Sequence, residues 1–134
     1  MPTRRAFLAT ATIATIGMAW LNLPSAGSAE SRPFDEGAFQ AAIEAGKPVL
    51  VEISAPWCSV CRVQKKHLSD LLSDPKYAGI VALDVDFDSQ GDIVSGFRAQ
   101  RQSTLIMFAG GKEVARSVGD ASRAGISAML DLGT

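Results

Sequence analysis

The chain is poor in the side chains that most metal and nucleic-acid chemistry requires. Its 134 residues include two cysteines, one histidine and one tyrosine, and aromatics make up 7 % of the whole. Two cysteines fall short of the four ligands that a structural zinc takes, so a metal would have to be shared between two chains. The one histidine, His67, follows Cys58 by nine positions, on roughly the opposite face of a helix, and reads as a surface residue. No basic tract or aromatic-studded basic face is present, which argues against nucleic acid as a partner. Asp84-Val85-Asp86-Phe87-Asp88 has the acid spacing of a calcium loop, but Ser89 stands where that loop needs glycine and Ser95 where it needs glutamate. Those acids read as solvated side chains. Internal repeats and low-complexity linkers are lacking as well.

The N-terminus is patterned as a targeting segment. Thr3-Arg4-Arg5-Ala6-Phe7-Leu8 leads into an apolar stretch to about Leu23, then Pro24 and the small residues Gly27-Ser28-Ala29. This resembles a bacterial twin-arginine export signal, with Ala9 where that motif has a basic residue. The expectation is cleavage after Ala29, which makes residues 1–29 the signal and 30–134 a single domain. An uncleaved membrane anchor is the alternative, because residues 6–23 are nearly long enough to span a bilayer. Thr10, Thr12 and Thr15 in that stretch weaken it. Export of this kind implies a periplasmic location, an oxidising and thiol-active compartment.

Beyond the signal, strands and helices alternate. The spacing predicts a helix over Pro33–Ala45, with Phe34, Ala38, Phe39, Ala42 and Ile43 on one side. Val49–Ile53 reads as a buried strand, and Cys58 opens a second helix that stops before Asp74-Pro75. Ile80–Val85 is a second strand, Ser89–Ala99 a helix and Thr104–Phe108 a third strand. Gly110-Gly111 turns the chain into a returning strand over Lys112–Val118, and Ala121–Leu130 closes it as a helix. The implied fold class is α/β, a mixed sheet with helices on both faces.

Chemistry concentrates in Trp57-Cys58-Ser59-Val60-Cys61, where the first strand gives way to a helix. Cys58 at the helix start meets free backbone N–H groups and the positive end of the dipole, both of which favour its thiolate. It is expected to be the exposed nucleophile. Cys61 shares the apolar face of Leu68 and Leu72 and is expected to be the buried resolving thiol. As a structural staple the pair would be weak, because so short a loop removes little unfolded-state entropy.

The motif and the order of elements together resemble the thioredoxin fold over residues 33–131. The matching segments run from Val49 to Cys61, then Leu83-Asp84-Val85-Asp86, then Ser103 to Phe108 with Gly110-Gly111. The resemblance implies a thiol–disulfide oxidoreductase with Cys58 and Cys61 as its redox disulfide. It also implies that Glu52, six residues before Cys58, is a buried carboxylate relaying protons to and from Cys61. The remaining reading of Glu52 is a solvated residue without a role. Trp57, Gln102 and Ser103 become substrate contacts by the same likeness, although a plain core role for Trp57 stands beside that.

Two departures matter. Ser103 replaces the family's cis-proline; a cis bond before a non-proline costs about 2.5–4 kcal/mol, so Gln102–Ser103 is expected to be trans. Ala82 replaces a lysine near the buried carboxylate, which leaves desolvation freer to raise the pKa of Glu52. Arg62, Lys65 and Lys66 read as a solvated helix face. Partners implied are protein thiols and disulfides and a membrane electron donor. Neither cofactor nor metal is called for, and a monomer is expected. Reduction of periplasmic disulfides is the favoured direction; a non-catalytic thiol or metal-binding module is the alternative.

Overall fold

The computed structural model describes residues 28–134, so the segment read as an export signal lies outside the described residues except for Ser28 and Ala29. Five strands and four α-helices follow in the order β1 (Ser31–Pro33), α1 (Glu36–Glu44), β2 (Val49–Ser54), α2 (Ser59–Leu72), β3 (Val81–Asp86), α3 (Gly91–Gly96), β4 (Thr104–Ala109), β5 (Lys112–Val118) and α4 (Arg123–Asp131). The sheet order is β1-β3-β2-β4-β5. β1 and β2 flank β3 in parallel, whereas β4 runs antiparallel to both β2 and β5. The mixed sheet covered on both faces is the architecture expected from the sequence.

Alternation along the central strands loads the two faces differently. Leu50, Leu105 and Met107 pack under α2 and α4 with Leu68, Leu72, Ile126 and Leu130. Val51, Ile53, Leu83, Val85 and Ile106 face α1 and α3 with Phe34, Phe39 and Phe97. The rings of Phe39 and Phe97 meet edge-on at 5.2 Å. β2 lies at the centre and is buried along its whole length, Glu52 included.

The N-terminal boundary differs from the predicted helix over Pro33–Ala45. Ser31–Pro33 is a strand in register with Ala82–Asp84, and the helix starts at Glu36. Asp35 sets that start by accepting from the backbone N–H of Ala38 at 2.7 Å. Pro33 fits because it ends an edge strand, where a missing donor costs little. The helix read over Ser89–Ala99 is shorter, six residues, and ends where Arg98 takes a φ of +55°. The closing helix likewise starts at Arg123, after Ser122 has capped the N–H of Gly125.

Candidate active site

β2 delivers the chain to the surface and α2 takes it back, with the cysteines at the junction. The N–H of Cys58 donates to the Ala55 carbonyl at 3.1 Å, closing the turn through Pro56 and Trp57. Cys58 is the N-cap of α2, and its sulfur accepts from the backbone N–H of Cys61 at 3.1 Å. The two residues form a disulfide across a Cα–Cα distance of 5.3 Å. On reduction, the same N–H group and the helix dipole face the Cys58 sulfur and favour its thiolate. Cys58 is less exposed than expected, 5 % against 0 % for Cys61. The reason is local: in the disulfide state its sulfur is tied inward and packs with Ala55, Val60 and Phe87.

Glu52 lies beneath this helix, 1 % exposed, on the sheet face that carries Leu50. The cation absent at Ala82 comes from α2 instead. Lys65 places its Nζ 2.7 Å from Asp84 Oδ2 and 3.3 Å from Glu52 Oε1, so the reading of Lys65 as a freely solvated residue is corrected. Asp84, one register step across on β3, also accepts from the Ser54 hydroxyl at 2.6 Å, so it is not merely a solvated acid. Burial pushes the Glu52 carboxyl up from 4.5 to about 7; Lys65 pulls against that and Asp84 adds to it. For Lys65 burial pulls the pKa down, but Glu52 and Asp84 outweigh it and hold the ammonium above its ordinary value. Lys65 follows Cys61 by four residues on the same helix and so lies one turn along from it on the same face. A cavity of about 420 Å3 between β1 and α2, lined in part by Ser31, Glu52, Lys65 and Leu68, opens this cluster toward solvent.

The loop before β4 faces the start of α2. The Gln102–Ser103 bond is trans, and Ser103 takes a φ of +59°, a region that residues with a Cβ seldom occupy. Gln64, a residue with no role assigned from the sequence, holds this loop. It is fully buried, and its Nε2 donates to the carbonyls of Ser103 at 3.1 Å and Asp120 at 2.9 Å. Its signal was a polar residue on the helix stripe of Cys61 and Leu68. Gln64→Leu is expected to lower the unfolding free energy by about 1–2 kcal/mol in a urea titration, because a buried carbonyl and a half-buried one lose their donor.

Trp57 is 59 % exposed and its indole N–H donates to Asp88 Oδ2 at 2.8 Å. A core role for Trp57 is thereby excluded. His67 is half-buried on α2 rather than fully at the surface. Among the described residues no group of three or more histidine, cysteine or acidic side chains is placed to hold a metal.

Comparison with known proteins gives the same picture. The thioredoxin family model matches residues 30–132. Thioredoxin C-2 of Corynebacterium nephridii is 36 % identical over 95 residues, covering 69 % of this chain and 86 % of that protein. Thioredoxin H-type of Fagopyrum esculentum is 30 % identical over 81 residues, 60 % of this chain and 68 % of its own. The crystal structure of Trxlp from Edwardsiella tarda superimposes with a TM-score of 0.73 at 38 % identity, covering 75 % of this chain and 98 % of that one. With its Cys-x-x-Cys disulfide capping α2 and a matching sheet behind it, the chain belongs to the thioredoxin family and is a thiol–disulfide oxidoreductase.

Proposed function

We propose that the chain is exported to the periplasm, works there as residues 30–134, and reduces protein disulfides as a monomer recharged by a membrane electron donor. The observation that carries the chemistry is the nearly buried disulfide at the N-terminus of α2, beside the exposed ring of Trp57. In the reduced protein the Cys58 thiolate attacks one sulfur of the substrate disulfide. A mixed disulfide forms and the second substrate sulfur leaves as thiolate. Cys61 loses its proton to Glu52, attacks the Cys58 sulfur and releases the remaining substrate thiolate. Two electrons pass to the substrate, and the protein is left in its disulfide form.

Glu52 suits the relay because burial holds its carboxyl at about 7, where it gives and takes a proton with little bias near neutrality. The cavity between β1 and α2 supplies that proton's path to bulk water. Trp57 and Gln102 form the surface against which substrate lies, Gln102 through its backbone, and Ser103, itself nearly buried, supports that backbone by donating from its hydroxyl to the Gln102 carbonyl.

Equilibration of the Cys58–Cys61 pair with defined thiol buffers tests the direction. A reductase is expected near about −270 mV, and a value near about −120 mV would make the protein a disulfide donor instead. N-terminal sequencing of protein from the periplasmic fraction should begin at Glu30; a chain still starting at Met1 or Pro2 would overturn the cleavage.

A further inference from the structure

Three arginines line a pocket beside the loop that carries Gln102 and Ser103. Arg98, Arg101 and Arg116 line a cavity of about 170 Å3 with Gln100, Thr104 and Val118. The fold fixes the Arg116 guanidinium and the backbone that carries Arg98 and Arg101. On β5, Arg116 donates from Nη2 to the Phe97 carbonyl at 2.8 Å and from Nε to Glu113 at 2.7 Å, which fixes the plane of its guanidinium. The Thr104 hydroxyl donates to the Arg101 carbonyl at 2.7 Å and anchors that backbone to the start of β4. Arg98 follows α3 in the left-handed region, φ +55°, where glycine is the usual occupant and a residue with a Cβ is strained. The N–H groups of Arg98 and Ala99 bond back to the Ser95 and Val94 carbonyls and close the turn in that conformation.

The charge balance in this pocket is one-sided. Arg116 is paired with Glu113, whereas Arg98 and Arg101 have no ion-pair partner among the described residues. The chain around them is acidic: with Arg4 and Arg5 set aside, eleven basic residues stand against fourteen acidic ones. Any attraction for an anion is therefore local to this pocket. Its volume suits a single carboxylate or a group of similar size.

We propose that the Arg98–Arg101–Arg116 pocket docks an acidic side chain of the protein whose disulfide is being reduced. The placement selects that partner: Arg101 adjoins Gln102 and Thr104 follows Ser103, so the pocket continues the segment that meets substrate backbone. A substrate segment extended along Gln102 carries an acidic residue near its cysteine onto the guanidinium groups. Guanidinium forks match carboxylates in geometry as well as charge. The inference rests on the reading of the chain as a protein-disulfide reductase.

The test uses two disulfide peptides of one sequence, flanked by glutamate in one and by glutamine in the other. Wild-type protein is compared with the double variant Arg98→Gln, Arg101→Gln. The expected result is a preference of roughly three- to tenfold for the acidic peptide, expressed in KM, lost in the variant and suppressed by 0.3 M salt. The glutamine peptide should be reduced at one rate by both proteins. An unchanged preference in the variant, or an equal fall with both peptides, would overturn the proposal. Binding is read separately by the NMR signals of the arginine Nε–H groups, titrated with the acidic peptide carrying serine for cysteine. Shifts at Arg98 and Arg101 are expected even if exchange itself is absent, in which case the reductase reading fails and the docking site stands. No shift, or an equal shift with inorganic phosphate at the same charge concentration, would remove the acidic-peptide site.

Discussion

Cys58→Ser is expected to lower the rate of disulfide exchange by at least about a thousandfold, because no other thiolate exists to attack once Cys61 is left alone below the surface. Cys61→Ser should behave differently. Its Cys58 remains at the cap of α2 and still attacks, but nothing resolves the product, so a mixed disulfide with substrate accumulates. Mass spectrometry of each variant after one equivalent of a disulfide peptide separates the outcomes: an adduct for Cys61→Ser, none for Cys58→Ser. An adduct on Cys58→Ser would reverse the roles of the two sulfurs. The assignment follows from position rather than from bare exposure. Both sulfurs are nearly buried, but Cys58 sits at the cap beside Trp57, and Cys61 lies wholly inside the helix face that packs on the sheet. Neither substitution disturbs a large apolar contact, so both variants should fold.

Much of this arrangement was legible in the chain because it rests on patterns that survive folding unchanged. Runs as apolar as Val49–Ile53 and Thr104–Phe108 had to be central strands, since an element of that length with both faces apolar must be covered on both sides; the first is buried throughout and the second except at Phe108. The cysteine pair followed from its place between strand and helix. β1 escaped notice because three exposed residues, Ser31-Arg32-Pro33, carry no periodicity; their strand exists only through pairing with β3. Lys65 escaped for a different reason. A run of basic residues on an exposed helix face reads as solvated, and nothing local reveals that one of them reaches inward to carboxylates on two strands. Gln64 is the same lesson turned inside: its amide is buried because the loops at Ser103 and Asp120 need a donor, and both lie far along the chain. What sequence spacing conveys is which face a residue occupies; which partner it meets there is a property of the assembled sheet.

Glu52→Gln should stabilise the protein above neutral pH and leave it nearly unchanged in acid. The sign follows from linkage. In the unfolded chain the carboxyl loses its proton near 4.5, whereas burial in the fold holds the proton to about 7. Between those values the folded state binds more protons than the unfolded one, so wild-type stability falls as pH rises through the window and levels off above it. Burying the ionised carboxylate at pH 8 costs about 3 kcal/mol by this difference. That cost is already net of the attraction of Lys65, which is 43 % exposed and keeps its shorter bond to Asp84, so glutamine removes the whole of it while retaining the hydrogen-bonding contact available to Ser31. The gain at pH 8 is expected to be about 3 kcal/mol, or roughly 15 °C in Tm, shrinking toward zero below pH 5. Thermal melts at several pH values measure it. The same substitution should slow exchange and erase the inflection near pH 7 from the rate profile, because Cys61 then has no buried base to take its proton. A variant that gains stability yet keeps the wild-type profile would leave the linkage intact and remove Glu52 from the proton path. The two readouts separate what the carboxylate costs the fold from what it contributes to the chemistry, and the prediction is that a single group accounts for both.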